Sequence, residues 1–379
     1  MALDEEEGLS DTILITGGAG FIGSHVGRRL CEDGHRVRAL DSLVAQVHGT
    51  SERPAYLPDE VELVVGDVRD REVVDRALQG VDAVVHFAAR VGVGQSMYEI
   101  SEYSSVNTVG TAVLLEALMD RSVRKLLVAS SMSVYGEGLY RDASGTIVEA
   151  IERDRPQLEA GRWEPVGAGG EVLEPLPTHE GKRPSLSSIY ALNKYDQERQ
   201  CLLFGDAYGV PTTALRFFNA YGPDQALSNP YTGVLAIFAG RLLNGRPPLI
   251  YEDGLQRRDF VSVHDVARAC ALALEQPEAD GRVLNVGSGQ SVTVEDVATR
   301  LAAVVGREDL EPEITGKYRA GDIRHCYADI GLARATIGYE PQVTLEQGMA
   351  ELAEWLEGQT ADDHAEAAGR ELAARGLTL

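Results

Sequence analysis

Only four cysteines, Cys31, Cys201, Cys270 and Cys326, occur in 379 residues. They lie far apart with no C-x-x-C spacing, which argues against a zinc ribbon or a dithiol redox motif and leaves buried free thiols as the expected state. Apolar runs approaching the roughly 20 residues needed to span a bilayer are also missing. The N-terminal residues 1–8 are acidic where a secretory leader would be basic, so a cytoplasmic protein is expected. Basic residues are in deficit, 35 against 59 acidic ones, for a formal net charge of −24. That surplus repels phosphate backbones and anionic membranes, so neither nucleic acid nor a membrane is expected as a partner. A local arginine cluster can still hold a small anion inside an acidic protein. There are no internal repeats. With 44% hydrophobic residues, the chain can bury a large core, and its length exceeds one compact domain. One large domain carrying a smaller lobe is expected.

The N-terminal half alternates short apolar runs with helical patterns. TILIT at 12–16 passes through a glycine-rich turn into a helix over 21–31, and further strands are predicted at 36–40, 61–65, 83–87 and 125–129, with helices around 71–78 and 106–119. This alternation implies an α/β fold whose parallel sheet is covered on both faces. From 137 to 184 the pattern breaks into a Gly-, Pro- and charge-rich insertion with no clear regular structure beyond a short helix near Glu149; it reads as a substrate lid, a subunit contact or a mobile loop. A helix at 187–208 and a strand at 213–218 follow. Beyond them lie helices at 264–275 and 294–305 and scattered Pro and Gly, read as a smaller C-terminal lobe. The expected division is 1–220 for the first domain and mainly 221–379 for the lobe, with segments returning to the first. The stretch 360–379 reads either as a docked helix or as a frayed tail.

Glycines at 17, 20 and 23, with Phe21 and Ile22 between the last two, fall directly after a strand and at the mouth of a helix. A turn without Cβ atoms lets backbone N–H groups and the helix N-terminus approach a pyrophosphate, which points to a Rossmann-type, doubly wound sheet binding a dinucleotide. The next strand ends at Asp41, placed to accept hydrogen bonds from the adenine-ribose hydroxyls. A carboxylate there favours NAD over NADP, unless Arg36 or Arg38 turns inward. Asp67 and Val68, and Phe87, Ala88 and Ala89, follow later strands where the rest of the dinucleotide would lie.

Tyr190 and Lys194 are four apart, so on a helix they share a face. A tyrosine acting as a base at neutral pH needs its phenolate stabilised, which a nearby ammonium supplies. Ser131, in the run 130–136 (SSMSVYG) after the fifth strand, adds a hydroxyl at the sheet's carboxyl end. Together these three form an alcohol-oxidising set. With them the sequence resembles the extended short-chain dehydrogenase/reductase family over nearly the whole span from 12 to about 356, and within it the nucleotide-sugar 4-epimerases. The resemblance implies Tyr190 as base, Lys194 as its electrostatic partner and a holder of the nicotinamide ribose, and Ser131 and Ser133 beside the sugar. It implies Asn219 at the diphosphate and Arg258 and Arg319 as its clamp, and a homodimer built on the helices at 106–119 and 187–208. Arginine forks suit two phosphates.

The family's dehydratases place Asp-Glu where this chain has Met132 and Ser133, and its decarboxylases carry a glutamate at the second position. The resemblance therefore implies C4 epimerisation through a 4-keto sugar, with decarboxylase, dehydratase and reductase as alternatives of the same family. A non-catalytic NAD sensor or a scaffold is the alternative of another class. The segments 132–140 and 227–233, with the insertion, are similar to a bacterial group linked to dTDP-rhamnose; UDP-glucose 4-epimerases share the broader pattern. No metal site is expected.

Overall fold

The computed structural model describes residues 10–149, 152–231 and 233–378; the acidic residues 1–8 lie outside them. Seven strands, β1 (Thr12–Thr16), β2 (Arg36–Asp41), β3 (Glu62–Val65), β4 (Ala83–His86), β5 (Lys125–Ser131), β6 (Thr212–Phe217) and β7 (Val283–Val286), form one sheet. Its order is β7-β6-β5-β4-β1-β2-β3, and every neighbouring pair is parallel. Strand order reverses between β1 and β4, which opens a crevice at the carboxyl edge, the expected place for a ligand in such a sheet. This is a Rossmann-type fold.

Both faces of the sheet are covered, which is why its central strands read as continuous apolar runs. Successive side chains of β1 serve opposite cores: Ile13 and Ile15 pack beneath α1 (Phe21–Glu32), whereas Leu14 packs on the other side. That second face is closed by α2 (Arg71–Ala77), α3 (Gly110–Leu118) and α4 (Ile189–Tyr208). A third core, around Phe238, Leu301 and Leu352, joins α5 (Val234–Leu243), α7 (Val294–Val304) and α8 (Leu345–Leu356). The first core also takes α6 (Val263–Glu275).

Several expectations change. The helix expected from 106 begins earlier, at Ile100–Ser104, and passes through a π turn at Ser105–Val109 before α3. That turn buries Asn107, whose side-chain amide donates to the Arg90 carbonyl at 3.0 Å and accepts from the Arg90 N–H at 2.7 Å. π turns concentrate at functional sites, and this one fixes a loop lining the cleft. The insertion is folded rather than irregular: Leu139–Arg141 pairs antiparallel with Ile147–Val148 and with Glu174–Leu176. Its short helix is Arg155–Glu159, not at Glu149, and residues 150–151 are outside those described. Cys201, Cys270 and Cys326 are buried free thiols, but Cys31 is only half-buried.

The C-terminal stretch docks as α9 (Ala365–Ala374). Asp363 pairs with Arg241 at 3.1 Å, Leu372 is buried, and the Leu377 carbonyl accepts from Ala320 N–H at 2.9 Å. Burying one such leucine contributes about 1.5–3 kcal/mol toward holding the tail, beside the ion pair and the backbone hydrogen bond.

At the centre of the sheet, His86 is fully buried between Thr16 Oγ1 at 2.7 Å and Thr111 Oγ1 at 2.8 Å. Burial pulls its pKa down from 6.5 to about 3. A depressed histidine binds fewer protons folded than unfolded, so its contribution to stability is complete above pH 6.5 and is lost as pH falls toward about 3. His86→Asn should flatten the pH dependence of the urea unfolding free energy between pH 6 and 4 by up to about 1.4 kcal/mol per pH unit. Identical slopes in folded wild type and variant would contradict neutral burial.

Candidate active site

A cleft of 1140 Å³ runs along the carboxyl edge of the sheet, and every residue singled out from the sequence as a site residue, Gly17 through Arg319, lines it. The glycine turn forms its floor. Gly17 has φ +70°, and a Cβ there would stand 2.8 Å from Ala88 N, so only glycine fits without strain. A Cβ on Gly23 would overlap the Gly17 carbonyl. Gly20 caps α1 with no side-chain hydrogen bond, and no acidic residue occupies the helix's first turn. The N–H groups of Phe21, Ile22 and Gly23 therefore have no intrahelical acceptor, and the positive end of the helix faces the cleft. This is a cradle suited to a pyrophosphate.

Asp41, at the end of β2, accepts from Ala19 N–H at 3.1 Å and from Leu43 N–H at 2.9 Å, so the carboxylate is fixed at the cleft edge. Both nearby arginines turn away from it: Arg36 donates to Thr12 Oγ1 at 3.1 Å and Arg38 to Glu62 Oε2 at 2.8 Å. Neither offers its charge to a 2′-phosphate. Asp67 carries a partner that the sequence reading missed, Arg69, which grips it at 2.6 Å and holds its carboxyl below the usual range. Val68, Phe87, Ala88 and Ala89 complete that wall.

α4 brings Tyr190 and Lys194 to β5. Ser188 caps the helix by accepting from Ala191 N–H at 3.1 Å, and Tyr190 N–H donates to Ser96 Oγ at 3.0 Å. The registration is fixed lower down, where the buried carboxylate of Glu198 meets Arg216 on β6 at 2.7 and 2.9 Å and accepts from Ser130 Oγ at 2.6 Å. Ser131 therefore stands at a set position relative to the helix, and its hydroxyl is near enough to favour the ionised form of the Tyr190 phenol. Burial pushes the phenol up to about 12, against the pull of Ser131. Ser133 Oγ donates to Ser131 Oγ at 2.9 Å.

Lys194 differs from expectation. Its ammonium donates to Gln197 Oε1 at 2.8 Å, and it is not among the groups that shift Tyr190. Burial lowers its pKa to about 8. Gln197, which sequence reasoning missed because a lone glutamine one turn on carries no signal, passes the connection to Thr111 Oγ1 at 2.9 Å and to the Ala88 carbonyl at 3.2 Å.

The opposite wall carries polar groups suited to an anion. Asn219 Nδ2 donates to the Asp259 carbonyl at 2.9 Å and touches Met132 Sδ at 3.4 Å. Arg258 donates to the carbonyls of Arg257 and Arg324, both at 2.9 Å, and to that of Ile323. Among the described residues it has no carboxylate partner at ion-pair distance; burial lowers its pKa, and Asp322, Glu137 and Glu252 act on it only from farther off, so the guanidinium has no direct ion-pair partner in the cleft. Arg319 pairs with Asp322 at 2.9 Å and lies 4.8 Å over the Tyr251 ring. Tyr231, whose hydroxyl meets that of Tyr98 at 2.6 Å, and Trp355 also line this half. Their roles were invisible because contacts between distant loops leave no periodic signal.

Among known proteins, residues 13–287 match the NAD dependent epimerase/dehydratase family. A dTDP-L-rhamnose 4-epimerase of Burkholderia thailandensis is 39% identical over 350 residues, spanning 91% of this chain and 94% of its own. The structure of a UDP-glucose 4-epimerase from Thermotoga maritima with UDP-glucose superposes with a TM-score of 0.75 at 32% identity, covering 91% of this chain and 98% of that one. A Thermus thermophilus UDP-glucose 4-epimerase in complex with NAD gives 0.73 at 31% identity, with coverages of 92% and 100%. With its glycine cradle, tyrosine, lysine and serine gathered in one cleft, the chain belongs to the NAD dependent epimerase/dehydratase family.

Proposed function

We propose that this chain is an NAD-dependent epimerase that inverts C4 of a nucleotide-diphosphate sugar through a transient 4-keto intermediate. The observation that carries the reading is the juxtaposition, in one cleft, of the Ser131 and Tyr190 hydroxyls with the Arg258 guanidinium, which is held by backbone carbonyls. The first is an apparatus for moving a proton at a sugar hydroxyl, and the second is a site for an anion that travels with the sugar.

NAD would be held by the turn at Gly17, Gly20 and Gly23 with Phe21 and Ile22, by Asp41, by the wall of Asp67, Val68, Phe87, Ala88 and Ala89, and by Tyr190 and Lys194. When bound, it supplies the hydride acceptor and donor for C4. Tyr190 takes the proton of the C4 hydroxyl and returns it at the end of the cycle. With a phenol pushed up to about 12, it needs a cation, and the Lys194 ammonium, which with a pKa of about 8 is mainly charged at neutral pH, becomes available by releasing Gln197. Ser131, with Ser133 behind it, hydrogen-bonds the C4 oxygen. Asn219, Arg258 and Arg319 hold the diphosphate, so the sugar can turn its other face while anchored by its tail.

Elimination and decarboxylation need a further acid or base at the keto intermediate. Met132 and Ser133 stand at those places, and Met132 points its sulfur at an amide, which supports epimerisation over the alternatives. A dTDP-linked deoxy sugar is the substrate we favour, on the strength of the 39% identical relative and of residues 227–231 and 233 in the cleft wall. We also propose a cytoplasmic location, in keeping with the lack of any membrane-spanning helix among the described residues. The division into a cofactor domain over 1–220 and a substrate lobe mainly over 221–379 belongs to the same reading, supported by the separate third core and by β7 returning to the sheet.

A homodimer is proposed through the face formed by residues 100–119 and α4. That face exposes Ile100, Val109, Met119, Leu192, Leu203 and Tyr208, each at least 46% exposed, apolar side chains that burial against a second copy would take out of water. A monomeric mass at micromolar concentration would remove the proposal.

Incubation with NAD and a panel of dTDP-, UDP- and GDP-sugars, followed by proton NMR, should show C4 epimers interconverting with no net NADH. A deoxy-keto product or a pentose would replace this reading with dehydration or decarboxylation. Tyr190→Phe should lower turnover by about 10²–10⁴-fold while leaving fold and NAD affinity intact; near-normal turnover would contradict the assigned base.

A further inference from the structure

The insertion at 137–184 and the arginines of the anion wall meet at one short loop, 322–325. Arg324 is fully buried; it pairs with Glu252 at 3.0 Å and with Asp253 at 2.6 Å on the lobe, and with Glu164 from the insertion. Arg153, also from the insertion and equally out of solvent, reaches three elements at once. It donates to Glu137 at 3.1 Å, to Glu252 at 2.7 Å and to the Asp322 carbonyl at 3.0 Å. Glu164 further accepts from His325 Nε2 at 2.9 Å. Glu252, held between the two arginines, adopts φ +56°, a left-handed conformation that costs a residue with a Cβ and persists only where its surroundings impose it.

The loop so fixed is what holds the arginines. The carbonyls of Ile323 and Arg324 orient the Arg258 guanidinium, and the Asp322 carboxylate orients Arg319. Carbonyl dipoles aim a guanidinium without neutralising it, so Arg258 keeps its full charge for a ligand. A buried network of this kind contributes little net stability compared with apolar packing of the same volume, but it fixes one arrangement. Fixing the spacing of two cationic forks is what recognition of two adjacent phosphates requires.

We propose that the 137–184 insertion is the frame that sets the diphosphate clamp, with Arg153 and Glu164 as positioning residues that act on Arg258 and Arg319 through the 322–325 loop. The proposal rests on the nucleotide-sugar reading above. It assigns the insertion a fixed structural task instead of the lid or partner surface its sequence suggested.

The test uses the full-length protein with NAD, the variants Arg153→Lys and Glu164→Gln, and Arg258→Met as a reference. Binding of dTDP and of UDP is measured by calorimetry, together with NAD affinity, melting temperature and the steady-state constants for the substrate found in the sugar panel. Arg153→Lys keeps the charge but cannot span three acceptors, and Glu164→Gln leaves Arg324 paired with Glu252 and Asp253, so at least one variant remains folded. The expected result is nucleoside-diphosphate affinity lowered about tenfold or more and KM raised in parallel, with kcat changed by less than about threefold and NAD affinity unchanged. Glu164→Ala should lose more than Glu164→Gln. If Arg258→Met loses the nucleoside diphosphate while folded Arg153→Lys and Glu164→Gln bind it as wild type does, the positioning role is overturned and the nucleotide-sugar reading stands. If Arg258→Met itself binds normally, the clamp falls and the positioning role with it.

Discussion

The buried carboxylate of Glu198 is the contact on which the proposed chemistry depends. It belongs to the same helix as Tyr190 and Lys194, and it meets Arg216 on β6 and the hydroxyl of Ser130, the neighbour of Ser131 on β5. One side chain thereby locks the helix that carries the proposed base to the strand that carries the proposed hydroxyl. Losing one member of such a pair leaves a charge stranded in the interior, at a cost of about 3–5 kcal/mol. Arg216 is held again from its other face, 4.7 Å above the Tyr135 ring. Geometry of this kind explains how two hydroxyls carried by a long helix and a separate strand can be kept close together in one cleft.

The remainder of the site follows from what the sheet leaves open. Reversal of strand order makes a crevice, glycines without Cβ atoms let the first helix point its positive end into it, and the chain beyond β6 brings Arg258 and Arg319 to the same cleft. An acidic chain can do this because the favourable charge is local. Arg258 is left without a carboxylate, while Arg153 and Arg324 nearby are each matched to two or more acids.

The parts legible in the sequence were those whose signal is local. The β1 run, the glycine spacing, Asp41 at a strand end and the four-residue interval from Tyr190 to Lys194 each depend on a few adjacent residues, and all but the buried β1 run line the same cleft. The insertion was illegible because its strands are two or three residues long, and Leu139–Arg141 finds its partner at Glu174–Leu176, more than thirty positions away. Its charged residues carry no local sign of burial, yet the side chains of Arg153 and Glu137 are buried against each other, against Glu252 and against the backbone at 324–325. Gln197 was missed, and the tail was left open between a docked helix and a frayed end, for the same reason: one glutamine, or one weakly amphipathic helix, takes its meaning from what it touches. The expectation that Lys194 lies ready beside Tyr190 came from their spacing and from the family resemblance; in the structure the ammonium donates to Gln197.

The central claim is that a hydride leaves C4 of the sugar and returns to it on the other face. A nucleotide sugar carrying deuterium at C4, turned over in ordinary water and followed by NMR and mass spectrometry, tests it most directly. The account expects the C4 epimer to retain the deuterium at C4. Loss of the label to solvent would mean that C4 gives up a proton instead, and would contradict the mechanism.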